Sequence, residues 1–211
     1  MASLFMMGIL RPPILLLQSS CHMEPPLTFA EATLHDLDRI MDMEAKGFAP
    51  GNTELREVYE LRIRTFPQGS LIAYSGSEYV GCIFSEIWKE SFLPVAEHFA
   101  LGHDIFERHD PVFGTELYIT SMTISPAFRG KGLGSQLFLG CINRVAAAYP
   151  QLTSALLLVN ETWVQARAIY EGAEFREVVR FKNFFSPDGM THEDGIVMRC
   201  PIQRKSHPTW L

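Results

Sequence analysis

Several kinds of feature are scarce in this chain, and each scarcity excludes something. Its four cysteines, Cys21, Cys82, Cys141 and Cys200, are spread over 211 residues, and no two are spaced as a metal-binding pair. A chain this long can bury a core without disulfide staples, so a reducing, cytoplasmic setting is expected and no metal is. Basic charge is short too: Lys and Arg number 18 against 24 Asp and Glu, a formal net charge of −6. That balance argues against nucleic acid as the main partner and mildly favours cationic partners such as amines. Beyond the first residues no apolar run is long enough to cross a bilayer, so no membrane partner is expected. The glycine-rich stretch at 130–134 is not followed by Lys-Ser or Lys-Thr, which excludes a Walker loop. Its spacing is G-x-G-x-G, not the G-x-G-x-x-G of a dinucleotide fingerprint.

Apolar residues are plentiful at 47% of the chain, enough for one domain with a sizeable core. Residues 1–22 are apolar, with Arg11 in the middle of the run and Pro12-Pro13 breaking any helix. A signal peptide wants its positive charge before the apolar run. The reading is a dispensable leader with Met23 as the natural start, a transit peptide being the alternative. The domain is then expected over 23–204, with a tail at 205–211, as a monomer or homodimer.

Past the leader, helical and strand periods alternate. Thr33 and Asp36 form a loose capping box ahead of Leu34, Leu37, Ile40 and Met41 at helical spacing. "APGN" breaks that helix, and Leu55, Val58 and Tyr59 mark the face of a second, ended by Pro67 and Gly69. Residues 70–88 read as a β-hairpin around Ser75-Gly76-Ser77. Residues 89–114 have no period, and so long a loop in a compact domain is often functional. "TELYITSMTIS" (115–125) is the clearest strand, followed by the glycine turn and a helix over 133–149. "SALLLV" (154–159) reads as a buried strand, "WVQARAIYEG" as a short helix capped by Thr162, and the remainder as a closing hairpin. The expected fold is therefore α/β: a mixed, largely antiparallel sheet with a central βαβ unit and helices on both faces.

The turn "SPAFRGKGLGSQL" (125–137) carries the chemistry. A helix N-terminus offers unpartnered N–H groups and a partial positive charge. Gly130, Gly132 and Gly134 remove side chains at alternate positions, while Arg129 and Lys131 add charge. Glycines needed only for positive φ in a strand-to-helix turn would look the same. The strand, basic glycine loop and amphipathic helix together favour a pyrophosphate cradle.

"RGKGLG" (Arg129 to Gly134) matches [RQ]-x-x-G-x-[GA], and "IYEGAEF" places Tyr170 and Phe175 as in a Tyr-x-x-x-Gly-Phe segment. On these motifs the chain resembles the GNAT superfamily of acetyl-CoA-dependent N-acetyltransferases, from about Leu27 to Ile202. It departs at Glu174, where glycine is usual, and at Trp163, where many members have asparagine. The resemblance implies acetyl-CoA as cosubstrate. Backbone of Met122, Thr123 and Ile124 should meet the pantetheine arm. Arg129 and the amides of Gly130, Lys131, Gly132, Leu133, Gly134 and Ser135 should hold the diphosphate. Tyr170 should protonate the leaving thiolate. Glu116, Tyr118 and Thr120 share a strand face by period two. Glu116 acting through water is the first choice of base, then Tyr118, then Glu86. Within the superfamily the N-terminal half resembles the arylalkylamine N-acetyltransferases, although Tyr118 and Thr120 stand where those have paired histidines. That likeness implies a small-molecule amine substrate, with Phe48, Pro50 and Phe66 on an apolar wall and Phe181, Phe184 and Phe185 nearby. Peptide acetylation or acyl-CoA binding without turnover are the rival readings.

Overall fold

A computed structural model describes residues 26–202. The expected leader and tail lie outside these residues. One sheet runs in the order β1-β2-β3-β4-β5-β7-β6. Its strands are β1 (Thr28–Glu31), β2 (Ser70–Ser75), β3 (Glu78–Trp88), β4 (Glu116–Ile124), β5 (Ser154–Asn160), β6 (Arg176–Phe185) and β7 (Glu193–Pro201). Every neighbouring pair is antiparallel except β4 and β5, which are joined by a crossover through a helix. The mixed, largely antiparallel sheet expected from the sequence is the one observed.

The helices are α1 (Leu37–Gly47), α2 (Arg56–Thr65), α3 (Leu133–Ala148) and α4 (Val164–Gly172). On one face of the sheet, Leu133, Leu137, Phe138, Cys141 and Val145 of α3 pack on Leu117, Ile119 and Leu157. Tyr170 of α4 and Phe175 join the same cluster. On the other face, Leu37 and Ile40 of α1 and Tyr59 and Ile63 of α2 pack on Ile72, Cys82 and Phe84. Each such side chain contributes about 1.5–3 kcal/mol by leaving water. Cys82 and Cys141 are buried core residues, as their apolar context implied.

Local chemistry explains most boundaries. The Thr33 backbone N–H and hydroxyl both donate to Asp36 Oδ2, at 2.9 and 2.7 Å, closing the capping box before α1. Two expectations need correction. β1 was not foreseen: three of its four residues are exposed, and the strand is fixed by backbone pairing to β2 and by the single Phe29 ring packed on the core against Gly140. Thr162 does not cap α4; its hydroxyl donates to Asn160 Oδ1 at 2.9 Å, and Trp163 takes the cap position.

The register of β3 with β4 shifts between Phe84↔Ser121 and Ser85↔Ile119, which leaves Thr120 as the extra residue of a bulge. Period two therefore fails at Thr120. Upstream, Glu116 and Tyr118 lie on the α1–α2 face. Downstream, Ser121 and Thr123 do: Tyr59 donates to Ser121 Oγ at 3.1 Å, and Gly47 of α1 packs on Thr123. Met122 and Ile124 turn to the α3 face.

Candidate active site

β4 and β5 pair only from Glu116↔Ser154 to Ile119↔Leu157. Both strands run on, to Ile124 and Asn160, without pairing further, so they splay. A cavity of about 1140 Å³ opens over the splay, with Met122, Thr123 and Ile124 along its wall. The start of α3 closes one end. The α1–α2 loop, residues 99–103 and the end of β6 with Ser186 enclose the other.

The α3 end is made of main chain. Gly130 and Gly132 both have φ of 76°, a left-handed conformation that explains glycine there. Gly132 is the cap residue of α3, so the first-turn amides after it have no intrahelical acceptor. Gly134 lets α3 approach α4: a Cβ would fall 2.8 Å from Ile169 Cδ1. Arg129, Gly130, Gly132, Gly134 and Ser135 line the cavity. The Leu133 side chain instead fills the core, leaving only its backbone for a ligand. Lys131 Nζ sits 5.2 Å from the Phe128 ring centre, and Arg129 Nε donates to the Ile124 carbonyl at 3.0 Å. Along the wall, the hydroxyls of Thr120 and Thr123 are buried and have no hydrogen-bond partner among the described residues. An anion-ready helix end, an unpaired strand edge and two orphan hydroxyls fit an elongated ligand with one anionic end, such as an acyl-CoA.

The opposite end is made of side chains. Arg62 of α2, only 1% exposed, donates through Nε to Glu86 Oε1 at 3.2 Å and through Nη2 to Glu54 Oε1 at 3.1 Å. Glu54 Oε2 accepts from the Gly102 N–H at 2.9 Å, and Glu86 Oε2 from Trp88 Nε1 at 2.8 Å. His103 Nε2 lies 3.0 and 3.1 Å from the two Glu86 oxygens, and its Nδ1 lies 3.1 Å from the Ala100 carbonyl. Both ring nitrogens face acceptors, an arrangement that favours the doubly protonated ring. Burial works against that charge, but the Glu86 carboxylate outweighs it and raises the His103 pKa. Burial also opposes charge on Glu86; His103, Arg62 and the Trp88 N–H prevail and hold its carboxyl below the usual range.

The sequence-chosen residues scatter over this geometry. Tyr170 lines the cavity beside Phe138, ring centres 4.9 Å apart, and burial pushes its phenol well up. Tyr118 also lines it, between Trp88 and Phe99. Burial first, then Glu86, raises its phenol, so at neutral pH it can donate a proton but not accept one. Thr120 and Phe48 are on the wall, the Phe48 ring 5.1 Å from that of Trp163. Glu86 lies behind the wall, fully buried. Glu116 does not reach the cavity. It is 1% exposed at the far end of β4, with Oε1 taken by Arg199 Nε (2.6 Å) and Ser154 Oγ (3.0 Å) and Oε2 by Arg199 Nη2. Phe66 faces away as well, packed on His109 and Tyr149 in the core, and Pro50 is not on the wall. Phe184 and Phe185 line the cavity; Phe181 packs behind on Phe99. The departure at Glu174 leaves its turn intact: the residue adopts φ of 66°, and the Phe175 N–H reaches the Tyr170 carbonyl at 3.0 Å.

Glu44, Glu54, Arg62, Phe99 and His103 were not singled out in the sequence. Glutamates and arginines on helices normally face water, and the 89–114 loop has no period to read. Its length was the one available signal.

Comparison with known proteins agrees with this architecture. The sequence model of the acetyltransferase (GNAT) family matches residues 37–175. The GphF GNAT-like decarboxylase in complex with isobutyryl-CoA superposes with a TM-score of 0.67 at 16% identity, over 83% of this chain and 100% of that one. Arabidopsis thaliana Naa50 in complex with the bisubstrate analogue CoA-Ac-MVNAL gives 0.61 at 17%, over 84% and 99%. The ribosomal-protein-S18-alanine N-acetyltransferase from Escherichia coli gives 0.58 at 15%, over 88% and 99%. No curated protein matches the sequence significantly. With a family match over residues 37–175, which hold β2 to β5 and all four helices, the chain belongs to the GNAT acetyltransferase family and is an acetyl-CoA-dependent N-acetyltransferase.

Proposed function

We propose that the acceptor is a small primary amine with an apolar, aromatic-sized body, acetylated by direct attack on acetyl-CoA. The observation that carries this is the aromatic wall at the acceptor end: Phe48, Phe99, Tyr118, Trp163, Phe184 and Phe185 surround the space next to Thr120. Phe99, Tyr118 and Phe185 are each at most 8% exposed, so the wall belongs to a pocket more than to an open groove. A pocket of this kind binds an apolar body and leaves orientation to a few polar groups.

Acetyl-CoA supplies the activated acyl group. The α3 amides meet its diphosphate, and the backbone of Met122 and Ile124, on the β4 edge that β5 leaves open, meets its pantetheine arm. The Tyr170 hydroxyl, kept protonated by burial, donates to the departing sulfur. The imidazolium of His103, fixed by Glu86, keeps residues 99–103 against the pocket.

The named similar structures do not choose the acceptor. One carries a peptide bisubstrate analogue and another is called a decarboxylase, at identities that support the fold alone. A screen of acetyl transfer over arylalkylamines, polyamines, amino acids and short peptides, read by released thiol, tests the reading. Arylalkylamines should turn over best. Turnover confined to peptides would replace the small amine with a peptide N-terminus. Acetyl-CoA binding with no thiol release for any acceptor would leave a binding module.

A further inference from the structure

We infer that Glu44 is the group that receives the acceptor's ammonium and takes its proton. This rests on the N-acetyltransferase reading above and names a residue for its missing step.

The inference follows from matching charges at the acceptor end. Glu54 and Glu86 have both oxygens occupied, and their two negative charges are balanced by Arg62 and His103. Glu116 is balanced by Arg199 outside the cavity. Glu44 is left over. It lines the cavity and is 4% exposed, and among the described residues no cation stands within salt-bridge distance of it. Its Oε1 accepts from the Glu54 N–H at 3.1 Å. A buried carboxylate facing a cavity without a cation is a site for one.

Position agrees with charge. Glu44 is one turn before Gly47 on α1, and Gly47 packs so closely on β4 that a Cβ would fall 2.8 Å from Thr123 Cγ2. The Tyr59 hydroxyl beside Glu44 donates to Ser121 Oγ at 3.1 Å. Glu44 therefore faces the bulged stretch Thr120–Thr123, where the splay begins. The titratable and charged groups around it are Glu54 from the α1–α2 loop, Tyr59 and Arg62 from α2, and Cys82 from β3. β4 contributes the hydroxyls of Ser121 and Thr123. Burial pushes the Glu44 carboxyl up, the Glu54 N–H and Tyr59 hydroxyl pull it down by less, the Glu54 charge pushes it up further, Arg62 pulls it down least, and the net direction is up.

The step balances. An acceptor ammonium carries three N–H protons. One passes to a Glu44 oxygen and then to water. The freed nitrogen lone pair forms the C–N bond to the thioester carbonyl carbon, and the C–S bond breaks with its electron pair on sulfur. A second proton replaces the one Tyr170 gives to that sulfur, and the third stays on the amide.

The test uses the full chain with acetyl-CoA and phenethylamine as probe. In carbon-13 NMR of glutamate-labelled protein, Glu44 and Glu116, both pushed up by burial, should titrate above the ordinary range of about 4.3. One of the two signals should vanish in Glu44→Gln, and that signal alone should move to lower pH when phenethylamine is added. Activity should fall on the acid side through that same raised pKa, because the working form is the carboxylate. In Glu44→Gln that acid limb should disappear, turnover should drop by about 10²–10⁴-fold, and calorimetric acetyl-CoA affinity should hold. Glu44→Asp, one methylene shorter, should keep the limb at reduced turnover, and it decides the matter if the Gln variant does not fold. An unchanged limb and near-normal turnover in Glu44→Gln would overturn the assignment. Wild-type inactivity on every amine would sink the substrate reading instead. In that case a high-titrating Glu44 that still answers to phenethylamine keeps this inference, and one that does not removes it.

Discussion

The two ends of the cavity are built from different material. At the α3 end the groups on offer are backbone amides from one short loop, shaped by two left-handed glycines. At the acceptor end they are side chains brought together from α1, α2, β3, β4 and the 89–114 loop, tied through Arg62, Glu54, Glu86 and His103. A main-chain site is indifferent to most substitutions and intolerant of a few. A side-chain site depends on every partner, since removing one member strands the charge of the next.

That contrast is open to attack at four places, taken from the largest effect down. Gly132→Glu puts a carboxylate and a Cβ at a φ of 76°, at the mouth of the amide cradle. Calorimetry should then detect no acetyl-CoA binding while circular dichroism still reports a folded protein. Normal affinity would remove the main-chain site. Arg62→Met strands Glu54 and Glu86 in the interior and should lower unfolding free energy by about 3–5 kcal/mol in urea titration. Arg199→Met strands only Glu116, whose partner is 15% exposed, and should cost less. Equal losses would mean the acceptor network is no more interdependent than an ordinary pair. Tyr170→Phe should reduce turnover by about 10²-fold with little change in acetyl-CoA affinity, a loss confined to the transition state. A parallel loss of affinity would make the phenol a binding group. Glu174→Gly, away from both ends, relieves a φ of 66°. It should raise stability by about 1 kcal/mol with kinetics unchanged.

How far each end can be read from the sequence follows the same division. The glycine turn was legible because its chemistry is local: "RGKGLG" between a β-rich run and an amphipathic helix specifies a capped helix start by itself. The order of strands and helices was legible for a similar reason, since alternation and helical spacing are short-range patterns. β1 was not, because a four-residue strand with three exposed residues and one packed ring leaves too short a pattern to read. Period two held for Glu116 and Tyr118 and failed at Thr120, because the bulge there is set by pairing with β3 and not by residue type. Glu116 and Glu44 show the limit most clearly. In sequence both are glutamates with apolar neighbours, and Glu116 drew notice through its place before the glycine turn. In the fold Arg199, 83 residues away, satisfies Glu116, while among the described residues no cation forms an ion pair with Glu44 and Arg62 acts on it only from farther off. Which carboxylate is spent on structure and which faces a substrate is a question of long-range charge balance.

The most direct measurement is a crystal structure with a bisubstrate adduct in which CoA is joined through an acetyl link to phenethylamine. The diphosphate should lie on the amides of 130–135, the pantetheine along Met122 and Ile124, and the phenethyl nitrogen within hydrogen-bonding distance of Glu44. A diphosphate bound elsewhere, or an adduct whose nitrogen points away from Glu44 into an open groove, would contradict it.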